Sequence, residues 1–211
     1  GRLNILNGTP FQTNETGPKD NRSPPKIVVF QLPNRSLGDD QDVCKLSFED
    51  THPPIIRSFS FPDNIAPHTS AFLNDVVVDE VDDIAYISDA GTGAIIIYDL
   101  KSNTAARFYK SEALKADGEK LHIAGKDYVN PTPVDGIALL PNRSLLYFCA
   151  MDSFKLHSVP TSVLRSLLPQ TSSSTATQES VDNHVKFVGT KPAASDGMTC
   201  DSLGRIYFSG I

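Results

Sequence analysis

The 211-residue sequence has no apolar run near the roughly 20 residues that a membrane-spanning helix requires. It therefore predicts no membrane span. It also lacks a basic excess: 19 Lys and Arg stand against 25 Asp and Glu, a net charge of −6, which excludes a basic nucleic-acid binder. Its 39% hydrophobic content excludes a largely disordered chain. Cysteine is scarce, and Cys44, Cys149 and Cys200 match no zinc or redox spacing. No Gly-x-Ser-x-Gly elbow is present, and Gly91-Thr92-Gly93 lacks the strand-to-helix setting of a phosphate loop. The histidines His52, His68, His122, His157 and His184 include no close pair of metal-ligand type. No nucleophile, phosphate loop or metal centre is indicated, and no cofactor follows from any motif.

What the sequence does contain is a repeat. Asn74-Asp75-Val76-Val77-Val78-Asp79 leads into Ile84-Ala85-Tyr86-Ile87-Ser88. The pattern returns at Asp135-Gly136-Ile137-Ala138-Leu139 with Leu145-Leu146-Tyr147-Phe148-Cys149, and again at Asp196-Gly197-Met198-Thr199-Cys200 with Arg205-Ile206-Tyr207-Phe208-Ser209. The starts at 74, 135 and 196 are separated by 61 residues each time. Every copy reads as strand, turn, strand, with turn residues such as Asp82-Asp83, Pro141-Asn142-Arg143 and Ser202-Leu203-Gly204 between β-rich runs. In the first copy, Ala94–Leu100 and Thr104–Tyr109 complete a four-stranded antiparallel meander. In the second, Phe154–Ser158 and His184–Val188 supply the third and fourth strands. The intervening Pro160–Leu168 predicts a short helix with Thr161 near its cap, and Thr171–Asn183 predicts a loop.

A four-stranded meander is too thin to bury both of its faces, so repeated meanders stack around an axis as blades of a β-propeller. The expected fold is all-β: a β-propeller of four-stranded antiparallel blades, with about half of a six-bladed ring in this chain. The divisions expected are a blade remnant over 1–60, a blade over 71–109, a blade over 134–188 and a blade start over 195–211. A two-sheet sandwich also has many short strands but gives no reason for a 61-residue period. Gly1-Arg2-Leu3-Asn4-Ile5-Leu6 parallels Gly204–Ser209, so the chain begins and ends at one phase of the repeat. With no initiator Met at Gly1, it reads as an internal fragment from which a signal peptide is absent.

Five Asn-x-Ser/Thr triplets lie in polar segments, at Asn7, Asn14, Asn21, Asn34 and Asn142, an excess that points to a secreted, extracellular glycoprotein. Asn7, Asn14, Asn34 and Asn142 are the candidate glycosylation sites, because Pro24 follows the Asn21 triplet. An odd cysteine count in a secreted protein implies a free thiol or a partner outside the chain. Cys44, in a polar loop, is the better candidate for a disulfide bond. Cys149 and Cys200, in apolar strands, read equally as buried thiols or as a bridge.

Several segments resemble the secreted major royal jelly protein and yellow family. They are Gly1-Arg2-Leu3-Asn4-Ile5-Leu6, Pro25-Lys26-Ile27-Val28-Val29-Phe30, Ala71–Asp79, Ala85-Tyr86-Ile87-Ser88-Asp89, Val134–Leu139 and Ser158–Arg165. The resemblance implies a six-bladed propeller that is extracellular and commonly glycosylated. The family roles it brings are diverse: cuticle pigmentation and melanin chemistry, including dopachrome conversion; capture of biogenic amines; and nutrition.

Inner propeller strands face the central channel, where ligand sites tend to lie. Asn74, Asp75, Asp135 and Asp196 open those strands in successive blades and are the candidate ligand-binding residues. A ring of carboxylates suits an ammonium group, which donates several charge-assisted hydrogen bonds. It also suits Ca2+, which takes several oxygen ligands, and Asn-Asp and Asp-Gly at such points resemble those of calcium-dependent lactonase-like propellers. The same residue types also cap turns by bonding backbone amides. The function expected is capture of a small ligand, a biogenic amine or catechol, in the channel. The alternatives are a dopachrome isomerase-like enzyme of the melanin pathway and a structural protein of extracellular matrix or cuticle.

Overall fold

A computed structural model describes residues 2–6, 23–30, 55–118, 120–129, 131–169 and 176–210. Asn7, Asn14, Asn21, Asn34, Cys44 and His52 lie outside the described residues. The chain builds antiparallel sheets in sequence order. Strands β1 (Arg2–Leu6), β2 (Lys26–Phe30) and β3 (Ile55–Ser60) form the first sheet, in the order β1-β2-β3. Strands β4 (Leu73–Asp79), β5 (Ile84–Asp89), β6 (Ala94–Asp99) and β7 (Thr104–Phe108) form the second. A hairpin of β8 (Leu121–Ile123) and β9 (Lys126–Tyr128) precedes the third sheet, made of β10 (Val134–Leu139), β11 (Leu145–Ala150), β12 (Lys155–Pro160) and β13 (Lys186–Thr190). Strands β14 (Met198–Cys200) and β15 (Ile206–Phe208) pair as the last.

Two differences from the sequence reading are local. The helix after β12 is a single turn, α1 (Thr161–Arg165), shorter than the expected Pro160–Leu168, with Pro160 as its cap and Thr161 next to it as expected. The Thr161 hydroxyl donates to the Arg143 carbonyl at 2.6 Å. The stretch expected as loop contains a helix, α2 (Gln178–Asp182), started by a capping box in which Thr177 and Ser180 bond each other's backbone.

Four of the turns between strands share one device. Asp79, Asp89 and Asp99 each end a strand, and each carboxylate accepts backbone N–H groups from the turn that follows: Val81 and Asp82, Gly91 and Thr92, Lys101 and Ser102. Asp201 does the same for Leu203 and Arg205 after β14. Much of the acidic surplus is thus spent on the Asx turns that set hairpin geometry.

The core lies between sheets. Successive side chains of a strand point to opposite faces, so alternate residues enter different interfaces. Along β5 and β6, Ile84, Tyr86, Ile95 and Ile97 pack toward the third sheet, against Ile137, Leu146 and Phe148. Their neighbours Ala85, Ile87, Ile96 and Tyr98 pack toward the first sheet, against Ile27 and Phe61. The third sheet repeats the pattern on its far face, where Ala138 and Cys149 meet Met198 and Phe208. A fully buried Ile or Phe contributes about 1.5–3 kcal/mol, against about 0–1 for an exposed ion pair, so these apolar layers hold the sheets together.

Gly136 marks the tightest approach of one sheet to the next, since a Cβ there would stand 2.4 Å from the Asp196 carbonyl oxygen. A Cβ at Gly189, on β13, meets open space. Gly136→Ala is expected to lower stability by roughly 2–4 kcal/mol, with Gly189→Ala within about 1 kcal/mol of the parent, as measured by denaturant unfolding. Equal effects at the two positions would refute the close packing at the inner strands.

Candidate functional site

The inner strands β4 and β10 both begin with a one-residue bulge. Leu73 pairs with Asp89 and Val76 with Ile87, leaving Asn74-Asp75 as the extra step. Val134 pairs with Ala150 and Ile137 with Phe148, leaving Asp135-Gly136 in the same place. In the next sheet, Asp196-Gly197 directly precedes the first pair of β14, Met198 with Phe208. Bulges bend a strand and re-aim its side chains, and here they bring polar groups from three sheets together at one end of the inner strands. Gly in two of the three pairs was the visible trace of this geometry in the sequence.

The four candidate residues do converge, in different roles. The Asn74 side-chain amide donates to the Asp135 carboxylate across the boundary between sheets. Asp75 is a tie: its Oδ1 accepts the Val76 amide at 2.8 Å and its Oδ2 accepts the Ile137 amide of the next sheet at 3.1 Å. Its own backbone N–H donates to Ser88 Oγ at 2.9 Å, a partner that sequence alone did not suggest. Asp75 thus bonds backbone amides, as such residue types do, but at a strand bulge and across to the next sheet instead of in a turn. Asp135 is 3% exposed, whereas Asn74 and Asp196 face solvent. Among the described residues, the Asp196 carboxylate accepts no hydrogen bond.

Electrostatics separate these carboxyls from ordinary surface aspartates. Burial, with Asp196 and then Asp75 adding like charge, pushes Asp135 up to about 7. Burial also raises Asp75, with amide bonds from Ile137 and Val76 opposing and Asp196 reinforcing the rise. Every charged group that acts on Asp135 is another carboxylate. The site is thus an acidic cluster suited to a cation or to holding a proton near neutral pH. Among the described residues, no group of three or more His, Cys, Asp or Glu is placed to hold a metal ion.

At the other end of the inner strands, Val77, Glu80, Leu139, Arg143, Thr199 and Cys200 line a hollow of about 400 Å3. Buried Asp79 there faces Arg143 Nε at 3.2 Å and Arg165 Nη1 at 3.7 Å, joining the second and third sheets. Beside Asp196, a shallow hollow of about 520 Å3 is lined by Met198, Tyr207 and Phe208. His68 and His122 pair with Asp63 and Asp127 on the surface, and His184 Nδ1 bonds the Ser180 carbonyl. His157 lies on β12 instead, its ring stacked on Phe148. Cys149 and Cys200 are free thiols.

Asn142 is exposed in the β10–β11 turn, where its Oδ1 accepts from Ser144 N at 3.0 Å and Ser144 Oγ at 2.7 Å. This triplet is therefore displayed at a surface turn, at the end of the inner strands away from the acidic cluster.

Antiparallel four-stranded blades stacked face to face, with polar residues of successive inner strands gathered at one end, define a β-propeller fold with an acidic cluster at that end of the inner strands. The chain belongs to the major royal jelly protein family, whose model, "Major royal jelly protein", matches residues 12–211. No curated protein matches the sequence. Among solved structures, it is similar to hydrazine synthase of Kuenenia stuttgartiensis at 13% identity and a TM-score of 0.47, over 74% of this chain and 45% of that one. It is also similar to regucalcin, a calcium-binding protein of Agrobacterium tumefaciens, at 11% identity and a TM-score of 0.24, over 65% and 66%. The chain thus spans under half the length of the hydrazine synthase chain.

The raised carboxyl has a consequence for stability. An unfolded aspartate loses its proton near pH 4, about three units below Asp135 in the fold, so the folded state loses stability as pH rises from about 4 to about 7. Asp135→Asn is expected to be more stable than the parent above about pH 7, by on the order of 2 kcal/mol, with no gain below about pH 4. Denaturant unfolding across that range checks this, and a gain independent of pH would contradict it.

Proposed function

We propose that this chain is part of a secreted propeller that captures a small protonated amine, an aromatic amine or catecholamine, at the axial carboxylates. The observation that carries the reading is the convergence of Asp75, Asp135 and Asp196 with no cationic group acting on Asp135. An ammonium group placed among them would relieve the mutual repulsion and draw the Asp135 proton off. The apolar and aromatic lining beside Asp196 offers surface for a ring attached to that amine. Family membership and the five Asn-x-Ser/Thr triplets support secretion. No helix among the described residues is long and apolar enough to cross a membrane.

Calorimetric titration with dopamine or serotonin is expected to give binding at sub-millimolar ligand that weakens as pH falls below about 7, where Asp135 retains its proton. Asp196→Asn should weaken it about tenfold or more, as loss of a charge-assisted bond implies. Absence of heat, or equal binding of catechol without an amine, would count against amine capture.

A second reading has its own observation. A buried carboxyl that titrates near 7 is matched to proton transfer at neutral pH, which is the chemistry of a dopachrome tautomerisation. If that is the activity, Asp135→Asn abolishes dopachrome turnover, and the parent rate follows a titration near pH 7.

The surface turn at Asn142 fits glycan attachment. After passage through a secretory pathway, Asn142→Gln is expected to migrate as one glycan smaller. An unchanged mobility would remove Asn142 from the modified sites.

A further inference from the structure

We propose that Lys191 and Cys149 form a reversible covalent bridge through one oxygen atom, Nζ–O–Sγ, inside the interface between the third and fourth sheets. Cys149 ends the run of β11 that faces this interface, and Lys191 opens the crossover from β13 back to β14. The two side chains meet there: Lys191 Nζ lies 3.1 Å from Cys149 Sγ. Ser195 Oγ lies 2.6 Å from the same nitrogen and 3.7 Å from the sulfur, so three reactive groups share one pocket. Lys191 is 5% exposed, and Cys149 and Ser195 are fully buried. The ring of Phe208 covers the ammonium at 5.6 Å.

This environment is unusual for a lysine. Among the described residues it forms no ion pair, and a buried ammonium without a carboxylate carries a large desolvation cost. Its polar contacts are a thiol and a hydroxyl, and neither supplies a countercharge. A bridge removes the charge by turning the ammonium into a neutral N–O nitrogen, while the thiol hydrogen is lost as well. Both changes favour the apolar surroundings supplied by Ala138, Met198 and Phe208.

The chemistry balances with dioxygen as oxidant. The ammonium first yields one proton to solvent. One amine N–H, the thiol S–H and the O–O bond then break. One oxygen atom forms the N–O and O–S bonds, and the other leaves as water. Dioxygen takes up four electrons from the amine and thiol. Two equivalents of a dithiol reverse the step, returning the amine and the thiol with release of water. Oxidation of a buried thiol by a small diatomic requires no solvent channel of the size a protein disulfide exchanger needs. Once made, the bridge ties β11 to the crossover that carries Ser195 and Asp196, fixing the approach of Asp196 to the axis.

The full chain, folded and held in aerated buffer, then digested without reductant, tests this by peptide mass spectrometry. The expected product joins the Cys149 and Lys191 peptides with one added oxygen and two hydrogens fewer than the separate pair. Dithiothreitol should return both free peptides. Lys191→Arg, which retains the charge and the thiol, and Cys149→Ser should each abolish the product. The parent protein is decisive even if a variant fails to fold. Recovery of Cys149 as a thiol that alkylates fully after unfolding, its conversion to sulfinic acid beside an unmodified Lys191, or a direct S–N link without the added oxygen would each overturn the proposal.

Discussion

Each middle strand of this chain serves two interfaces at once, and the rest of the architecture follows from that constraint. In β5 and β6, consecutive residues belong to different cores: Tyr86 and Ile97 to one, Ile87 and Ile96 to the other. A slip of one residue would exchange the two sets and mismatch both neighbours together. That double requirement explains why the stretches Ile84–Ile87 and Ala94–Tyr98 are continuously apolar instead of alternating, as they would be with one face in water. It also explains the fixed spacing of the repeat, since each blade must offer complementary surfaces to the one before and the one after. A single blade has no partner for either face, and the stacked arrangement supplies both.

Polar contacts between blades are placed where this apolar layer ends. At one end of the inner strands, Asp79 is buried against Arg143 and Arg165, and its other contacts cap the β4–β5 turn. At the opposite end, Asn74 and Asp75 reach across to the next blade, one toward a side chain and one toward a backbone amide. The two ends differ in charge balance. The Asp79 end pairs carboxylates with guanidinium groups, whereas the Asp135 end sets carboxylates against one another. Repulsion of this kind costs stability, and the proposed binding of a cation at the acidic end would offset it.

The interface behind Cys149 departs from the other two. The first and second cores are built almost wholly from Ile, Leu, Val, Phe and Ala, while the third admits Lys191, Ser195 and a thiol at its edge. A buried lysine there is a choice with consequences for chemistry as well as packing, because the crossover it opens leads within five residues to Asp196. The proposed ligand site and the Lys191–Cys149 contact thus share one short segment.

The repeat at 74, 135 and 196 and the turn residues between short β-rich runs made the blades legible before any coordinates, because local pattern and period are written one residue at a time. The same reasoning placed Asn74, Asp75, Asp135 and Asp196 at equivalent points. It overlooked the bulges, since an extra residue in a strand leaves no period to detect, and it left α2 as loop because a one-turn helix has too few residues to show a face. It also treated the four polar residues alike. Only the folded chain divides them, with Asp75 bonded to backbone, Asp135 buried among like charges and Asp196 open to solvent. The meeting of Lys191 with Cys149, 42 residues apart, is likewise a product of the fold. Sequence by itself settled the fold class and the family, which depend on nearest-neighbour pattern. Tertiary structure decided which carboxyl holds its proton and which thiol faces an amine, because both depend on what burial removes from water and on groups brought together across blades.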